Sequence, residues 1–208
     1  MLQDALKITL VSIFFLIIFV STELMHRKMN IRAEITRKIA HVLSAITLAI
    51  LPIFMSILDI SIIALIFIIV LIVSFRLKVF RSIHSVKRKT YGEILFPVGV
   101  LAVFIFSRNV MVFEVAMLIL GFSDTAAELI GKKFGKAKYL NNHSTIIGSI
   151  AFFSVTIIIL SIFNGIGLSF ADKIIIGVIL TIVEAISNYG IDNLLIPLFF
   201  SALIFLSQ

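Results

Sequence analysis

At 208 residues, with 61% apolar side chains, 14% charged ones and a mean hydropathy of +1.20, the chain lies outside the range of soluble domains and reads as an integral membrane protein. It has no cysteine, which excludes a disulfide framework and thiolate chemistry. Its net charge of +7 sits in short loops between apolar stretches, where membrane topology and attraction to anionic lipid explain it better than nucleic-acid binding does.

Charge-free stretches of about 20 residues suit helical crossings of the hydrocarbon, and the absence of strand-like alternation argues against a barrel. In chain order, helices are expected at roughly 5–24, 41–57, 59–75, 93–107, 110–131, 146–163, 172–187 and 193–207. The first is longer than a signal-peptide core and reads as retained. The run from Tyr139 to Ala171 carries no charge, yet Asn141, Asn142, His143 and Ser144 at its start and Asn164 to Ser169 at its end confine it to one span. The expected fold class is therefore all-α: one polytopic helical bundle over residues 1–208, with no separate soluble domain.

The basic residues test this division. Arg27, Lys28, Arg32, Arg37 and Lys38 lie between the first and second spans, and Arg76, Lys78, Arg81, Lys87, Arg88 and Lys89 between the third and fourth. Lys132, Lys133, Lys136 and Lys138 follow the fifth, so fifteen of the eighteen fall on alternate loops. The positive-inside rule places these loops in the cytoplasm and both termini outside. The polar residues suited to chemistry gather at the same end of the spans.

At the mouth of the second span, Arg37 and His41 share a face at i, i+4, with Lys38 about a quarter-turn away. These residues serve as a positive-inside anchor or, alternatively, as contacts for a phosphate or a hydroxyl. The fourth span opens with Tyr91-Gly92-Glu93-Ile94-Leu95-Phe96-Pro97-Val98-Gly99, where proline and glycines are expected to bend or open the helix. On the fifth, Asp124, Glu128, Gly131 and Gly135 fall on one stripe at spacings of four, seven and eleven, with Ala127 beside it. Two carboxylates one turn apart suit Mg²⁺, which takes hard oxygen ligands together with substrate phosphates. The glycines leave room for a second helix or a nucleotide, and the following lysines supply charge for phosphate. The plainer alternative pairs Glu128 with Lys132 at i, i+4 and makes the glycines helix contacts. Asp124 resists it, because carboxylates inside apolar spans are costly and mostly functional. Between the seventh and eighth spans, Glu184-Ala185-Ile186-Ser187-Asn188-Tyr189-Gly190-Ile191-Asp192-Asn193-Leu194-Leu195-Ile196-Pro197 holds acids with no lysine or arginine. Magnesium is a natural partner for them, while Asp192 or Asn193 also suits a helix cap.

The pattern Asp124-x-x-Ala127-x-x-x-Gly131-x-x-x-Gly135 resembles the membrane polyprenol kinases, the dolichol and phytol or farnesol kinases, which are similar in turn to the phosphatidate cytidylyltransferases. Arg37-Lys38-x-x-His41 and Gly92-Glu93-x-x-Phe96-Pro97 are similar to further elements of that family. Glu184…Asp192-Asn193-Leu194-x-x-Pro197 looks like the signature of its dolichol and phytol kinase branch, which cytidylyltransferases lack. The resemblance runs in the family's order from Arg37 to Pro197. It departs at Ser144-Thr145-Ile146-Ile147-Gly148-Ser149, where the family carries Lys-(Ser/Thr)-x-(Glu/Ala)-Gly-Ser. Thr145, Gly148 and Ser149 are kept, but Ser144 stands for the lysine and Ile147 for the glutamate or alanine. The loss leaves open a replacement by His143 or Lys138, a different nucleotide preference, or weakened activity.

The resemblance implies transfer of the terminal phosphate of a nucleoside triphosphate, CTP in most of the family with ATP as the alternative, to the hydroxyl of a membrane prenyl alcohol. On that reading Asp124, Glu128 and Asp192 hold Mg²⁺ with Asn193 and Glu184 in support. Arg37, Lys38, Lys132 and Lys133 hold the triphosphate near Gly131 and Gly135, while Thr145, Gly148 and Ser149 line its approach. Asp124 is the first choice to accept the alcohol proton and His41 the second. Two rivals are a cytidylyltransferase acting on a phospholipid, which would release pyrophosphate, and a membrane transporter without catalysis.

Overall fold

A computed structural model describes residues 2–77, 90–139 and 144–207. Lys78, Arg81, Lys87, Arg88 and Lys89 of the second basic loop, and Asn141, Asn142 and His143, lie outside the described residues.

Eight long helices account for most of the described chain: α1 (Leu2–Met29), α2 (Ala33–Ile50), α3 (Ile57–Leu77), α4 (Gly92–Phe106), α5 (Val110–Phe134), α6 (Ile146–Ile162), α7 (Phe170–Ile186) and α8 (Asp192–Ser207). Each overlaps one expected helix. Both ends of α2 and the end of α1 differ most from expectation, because hydropathy marks where a helix meets lipid and not where its hydrogen bonding begins or stops. In α2 the polar turn around Glu34 and Arg37 is already helical, so Lys38 and His41 sit inside the helix rather than on a loop.

Local chemistry sets several ends. Asp4 at the start of α1 and His26, Arg27 and Lys28 at its end complement the helix dipole. Asn30 then takes a left-handed conformation at φ 51°, which asparagine tolerates. Ser56 and Asp59 exchange hydrogen bonds at the entry to α3, and Ser169 and Asp172 form a capping box on α7. The side chains of Asn109 and Thr145 cap α5 and α6.

Helix α5 forms the centre of the bundle. Val112, Phe113, Val115, Ala116, Met117, Ile119 and Leu120 are all buried, which explains why its first half is apolar on nearly every side, Glu114 excepted. Its second half lies along α6; α2 packs on α1 and α5, α3 on α1 and α4, and α7 joins α6 to α8. Helices α4 and α8 also pack extensively on each other.

Helices α1, α5 and α3, together with α2 carried on to Ile53 by a 3₁₀ turn, are long and apolar enough to cross a membrane. Helices α4, α6 and α8 are apolar but shorter, with 15, 17 and 16 residues. At 1.5 Å per residue these reach roughly 22–26 Å, against about 30 Å of hydrocarbon. Such a set of helices fits an integral membrane protein.

Three features differ from expectation. Residues Ile119–Ser123 form a π-helical segment inside α5, with Ser123 held by a 2.9 Å hydrogen bond from Thr156. Lys138–Tyr139 and Ser144–Thr145 pair as a two-residue antiparallel ribbon, Lys138 opposite Thr145. Helix α4 remains continuous through Pro97, in its second turn, instead of opening there.

Candidate active site

The starts of α2, α4, α6 and α8 and the ends of α5 and α7 meet at one end of the bundle, around a cavity of about 580 Å³. Arg37, Lys38, His41, Glu93, Asp124, Glu128, Lys132, Glu184, Asp192 and Asn193 all line it, so motifs separated by up to 156 positions converge on a single space.

Lys38 lies at its centre. The side chain is buried, and its ammonium donates to Asp124 Oδ2 at 2.6 Å and stands 2.8 Å from Glu128 Oε2. A buried ammonium is tolerated only when paired and hydrogen-bonded, and two carboxylates one helical turn apart supply that. Lys38 therefore faces the cavity more directly than its quarter-turn offset from Arg37 and His41 suggested, because α2 leans its buried face onto α5. The guanidinium of Arg37 reaches Glu128 Oε2 at 3.9 Å and donates to Thr90 Oγ1 at 3.4 Å. Lys132 joins Glu128 at 2.5 Å, the expected i, i+4 pair, and lies 3.5 Å from Glu34.

His41 points its Nε2 at the carbonyl oxygen of Leu120, 3.0 Å away in the π-helical segment, with Asp124 Oδ2 at 3.4 Å. A carbonyl oxygen only accepts, so Nε2 carries a hydrogen and is not free to take a proton. His41 would therefore have to take a proton at Nδ1, while on Asp124 the Oδ2 is engaged by Lys38.

The glycine stripe has a definite neighbour. A Cβ on Gly131 would stand 2.8 Å from Thr145 Oγ1 and 3.3 Å from Gly148 Cα, and one on Gly148 would lie 2.9 Å from the carbonyl oxygen of Ala127. Helix α6 therefore occupies the space beside Gly131 and Gly135 that the sequence left open for either a helix or a nucleotide, although both glycines still border the cavity. Thr145 Oγ1 accepts from Gly148 N at 3.1 Å, and Ser149 is hydrogen-bonded to the Tyr139 hydroxyl. Ser144, at the missing lysine, donates to the carbonyl of Ala185 at 2.9 Å. Lys138 lines the cavity from the ribbon, whereas Lys133 is exposed over the ring of Phe134 and lies off the cavity wall.

On the opposite wall, Asn193 Nδ2 donates to the carbonyl of Gly92 at 2.9 Å, tying α8 to α4. Gly190, at φ +85°, lets the preceding turn press on Gly92, and the amide of Tyr91 donates to the carbonyl of Tyr189 at 2.8 Å. Asp192 Oδ1 accepts from the amide of the next residue, Asn193, at 3.0 Å, a local contact and not the bond to an amide two or three residues on that a helix cap makes. Among the described residues neither Glu184 nor Asp192 has a cation within 4.0 Å, and the buried Oδ1 of Asn193 has no hydrogen-bond partner. The donor set is one of hard oxygens, which fits Mg²⁺. Among the described residues, however, no three acidic or histidine side chains converge as a preformed cage, so the protein's share of such a shell would be small.

Below the charged mouth the cavity becomes apolar. Ser44 and Leu48 of α2, Phe96 and Val100 of α4, Phe15 and Phe19 of α1, and Ile63, Ala64, Phe67 and Leu71 of α3 form its lower wall. The α1 and α3 residues carried no motif, and their alternation with lipid-facing neighbours is invisible in a uniformly apolar sequence. Thr90 and Glu34 were also passed over; the i, i+4 spacing of Glu34 to Lys38 was the available signal.

No protein-family profile matches the chain, and no solved structure matches it. The chain is 29% identical over 199 residues to a phytol kinase from Synechocystis sp., an alignment covering 87% of this chain and 82% of that protein. Over most of its length the chain is thus similar to a phytol kinase, in line with the resemblance that its motifs carry.

Proposed function

We propose that the protein is a kinase that moves the terminal phosphoryl group of a nucleoside triphosphate, CTP by family resemblance, onto the hydroxyl of a membrane prenyl alcohol such as phytol, geranylgeraniol or dolichol. The observation that carries this reading is the single cavity with lysines, arginine and carboxylates at one end and an apolar wall at the other. Phosphoryl transfer requires positioning and charge stabilisation more than a covalent nucleophile, and the site contains no cysteine.

The alcohol oxygen bonds to the γ-phosphorus as the bond from that phosphorus to the bridging oxygen breaks, releasing the nucleoside diphosphate. Asp124 takes the hydroxyl proton once Lys38 turns from the carboxylates to the phosphates. Arg37, Lys132 and Lys138 supply further positive charge at the mouth, which faces the cytoplasm by the distribution of basic loops. Mg²⁺ would be held through one or two of the oxygens of Asp192, Glu184, Asn193, Asp124 and Glu128, with the phosphates supplying the rest of its shell, and would offset the charge of the triphosphate.

The test uses the purified chain in detergent with Mg²⁺, γ-labelled CTP or ATP, and separate prenyl alcohols or diacylglycerol. A labelled prenyl phosphate is expected, and Asp124→Asn should lower its formation by about 100-fold or more. Release of pyrophosphate would make the protein a cytidylyltransferase, and absence of any labelled lipid would remove the kinase reading.

A further inference from the structure

The apolar part of the cavity admits a more specific conclusion, which rests on the kinase reading for the identity of the head group. Residues on three helices descend from the charged mouth: Lys38, His41, Ser44 and Leu48 on α2; Glu93, Phe96, Pro97 and Val100 on α4; and Leu71, Phe67, Ala64 and Ile63 on α3. Their spacings of three and four residues keep each set on one helical face. Phe15 and Phe19 of α1 complete the wall and pack edge-on against Phe67, with ring centroids 5.2 and 5.7 Å apart.

These side chains face inward. Phe15, Phe67 and Ile63 are 4%, 6% and 2% exposed, whereas their sequence neighbours Phe14, Ile17, Leu65 and Ile69 lie between 49% and 64% exposed on the outer surface. The bundle therefore holds an apolar compartment separate from the surface that meets lipid. From Lys38 to Leu48 the α2 wall advances roughly 15 Å at 1.5 Å per residue. This is about half the 30 Å hydrocarbon thickness, the depth of a single leaflet. The whole cavity, at about 580 Å³, falls within the range that encloses one drug-sized ligand.

We propose that this compartment binds the prenyl tail inside the protein and that its deep end, at Leu48, Ala64 and Ile63 just below the Phe15–Phe67–Phe19 cluster, makes tail length a selected property. A short prenyl alcohol suits this depth and volume, whereas a dolichol must pass the deep end or leave its remainder outside. Ala64 sits one turn from Phe67, where a methyl group leaves width for the branched chain.

Two measurements on the full chain test this independently. In the first, a geranylgeraniol analogue with a photoreactive diazirine on its terminal isoprene is irradiated with the protein, without nucleotide. Adducts are expected on the α1 and α3 segments containing Phe15, Phe19 and Phe67, displaced by geranylgeraniol and little by diacylglycerol. Adducts confined to the outer residues Phe14, Ile17, Leu65 and Ile69, or equal displacement by diacylglycerol, would overturn the proposal. In the second, Ala64→Phe is expected to reduce kcat/KM for geranylgeraniol about tenfold relative to geraniol, with Ile63→Ala shifting preference toward longer alcohols. Equal changes for all chain lengths would overturn it. Interior adducts in a protein that phosphorylates no alcohol would leave the tail compartment standing and remove the kinase reading alone.

Discussion

Replacing Lys38 by methionine removes the ammonium that bridges Asp124 and Glu128 while keeping a chain of similar length. The two carboxylates do not suffer equally. Glu128 retains Lys132 at 2.5 Å and Arg37 at 3.9 Å, whereas Asp124 retains only the His41 Nε2–H at 3.4 Å, itself directed at Leu120. Stranding one partner of a buried ion pair costs about 3–5 kcal/mol, and the surviving contacts of Glu128 put the expected loss near the lower end. For a chain of this size about 3 kcal/mol lowers Tm by roughly 6–12 °C. Asp124→Asn removes the stranded charge, so the double variant should recover about 2 kcal/mol relative to the sum of the single losses. Thermal unfolding in one detergent at a fixed scan rate, across the four members of the cycle, measures this coupling. Additivity within about 0.5 kcal/mol would refute the bridge as an energetic unit.

Gly131→Ala sets a helix-propensity gain of about 1 kcal/mol against a collision costing about 1–3 kcal/mol. Thr145 cannot retreat from the 2.8 Å approach without losing its cap bond to Gly148, so a net loss of Tm is expected. Gly177→Ala, which meets the side chains of Ile157 and Phe153, should cost less in the same melt. Asn193→Ala forfeits the bond to the Gly92 carbonyl and should cost about 1–3 kcal/mol. Asn193→Asp, which turns a second acceptor toward that carbonyl, should melt lower still. Thr156→Val keeps the shape but removes the bond to Ser123 in the π-helical segment, with an expected loss of about 1–2 kcal/mol by the same measurement.

Much of the site was legible before folding because its parts are polar residues where lipid makes polarity costly. Asp124, Glu128, Arg37, Glu184, Asp192 and Asn193 stood out for that reason, and all line one cavity. Lys38 was harder to weigh, since a lysine at a span entrance serves equally as a membrane anchor. Only the way α2 lies on α5 turns its ammonium inward. Lys133 lies off the cavity wall for the converse reason: charge alone says nothing of which side of a helix end faces the site.

Taken alone, the sequence determined an all-helical membrane bundle, the order of its eight helices and the clustering of its chemistry at one end. Each follows from composition, periodicity and charge placement along the chain. The tertiary structure decided what one-dimensional spacing cannot carry: that Lys38 joins two carboxylates 86 and 90 positions away, that α6 fills the glycine stripe, and that Phe15 and Phe67 bound an interior compartment. In a chain so uniformly apolar, lipid-facing and cavity-facing residues have the same composition, and only the packing of helices against one another tells them apart.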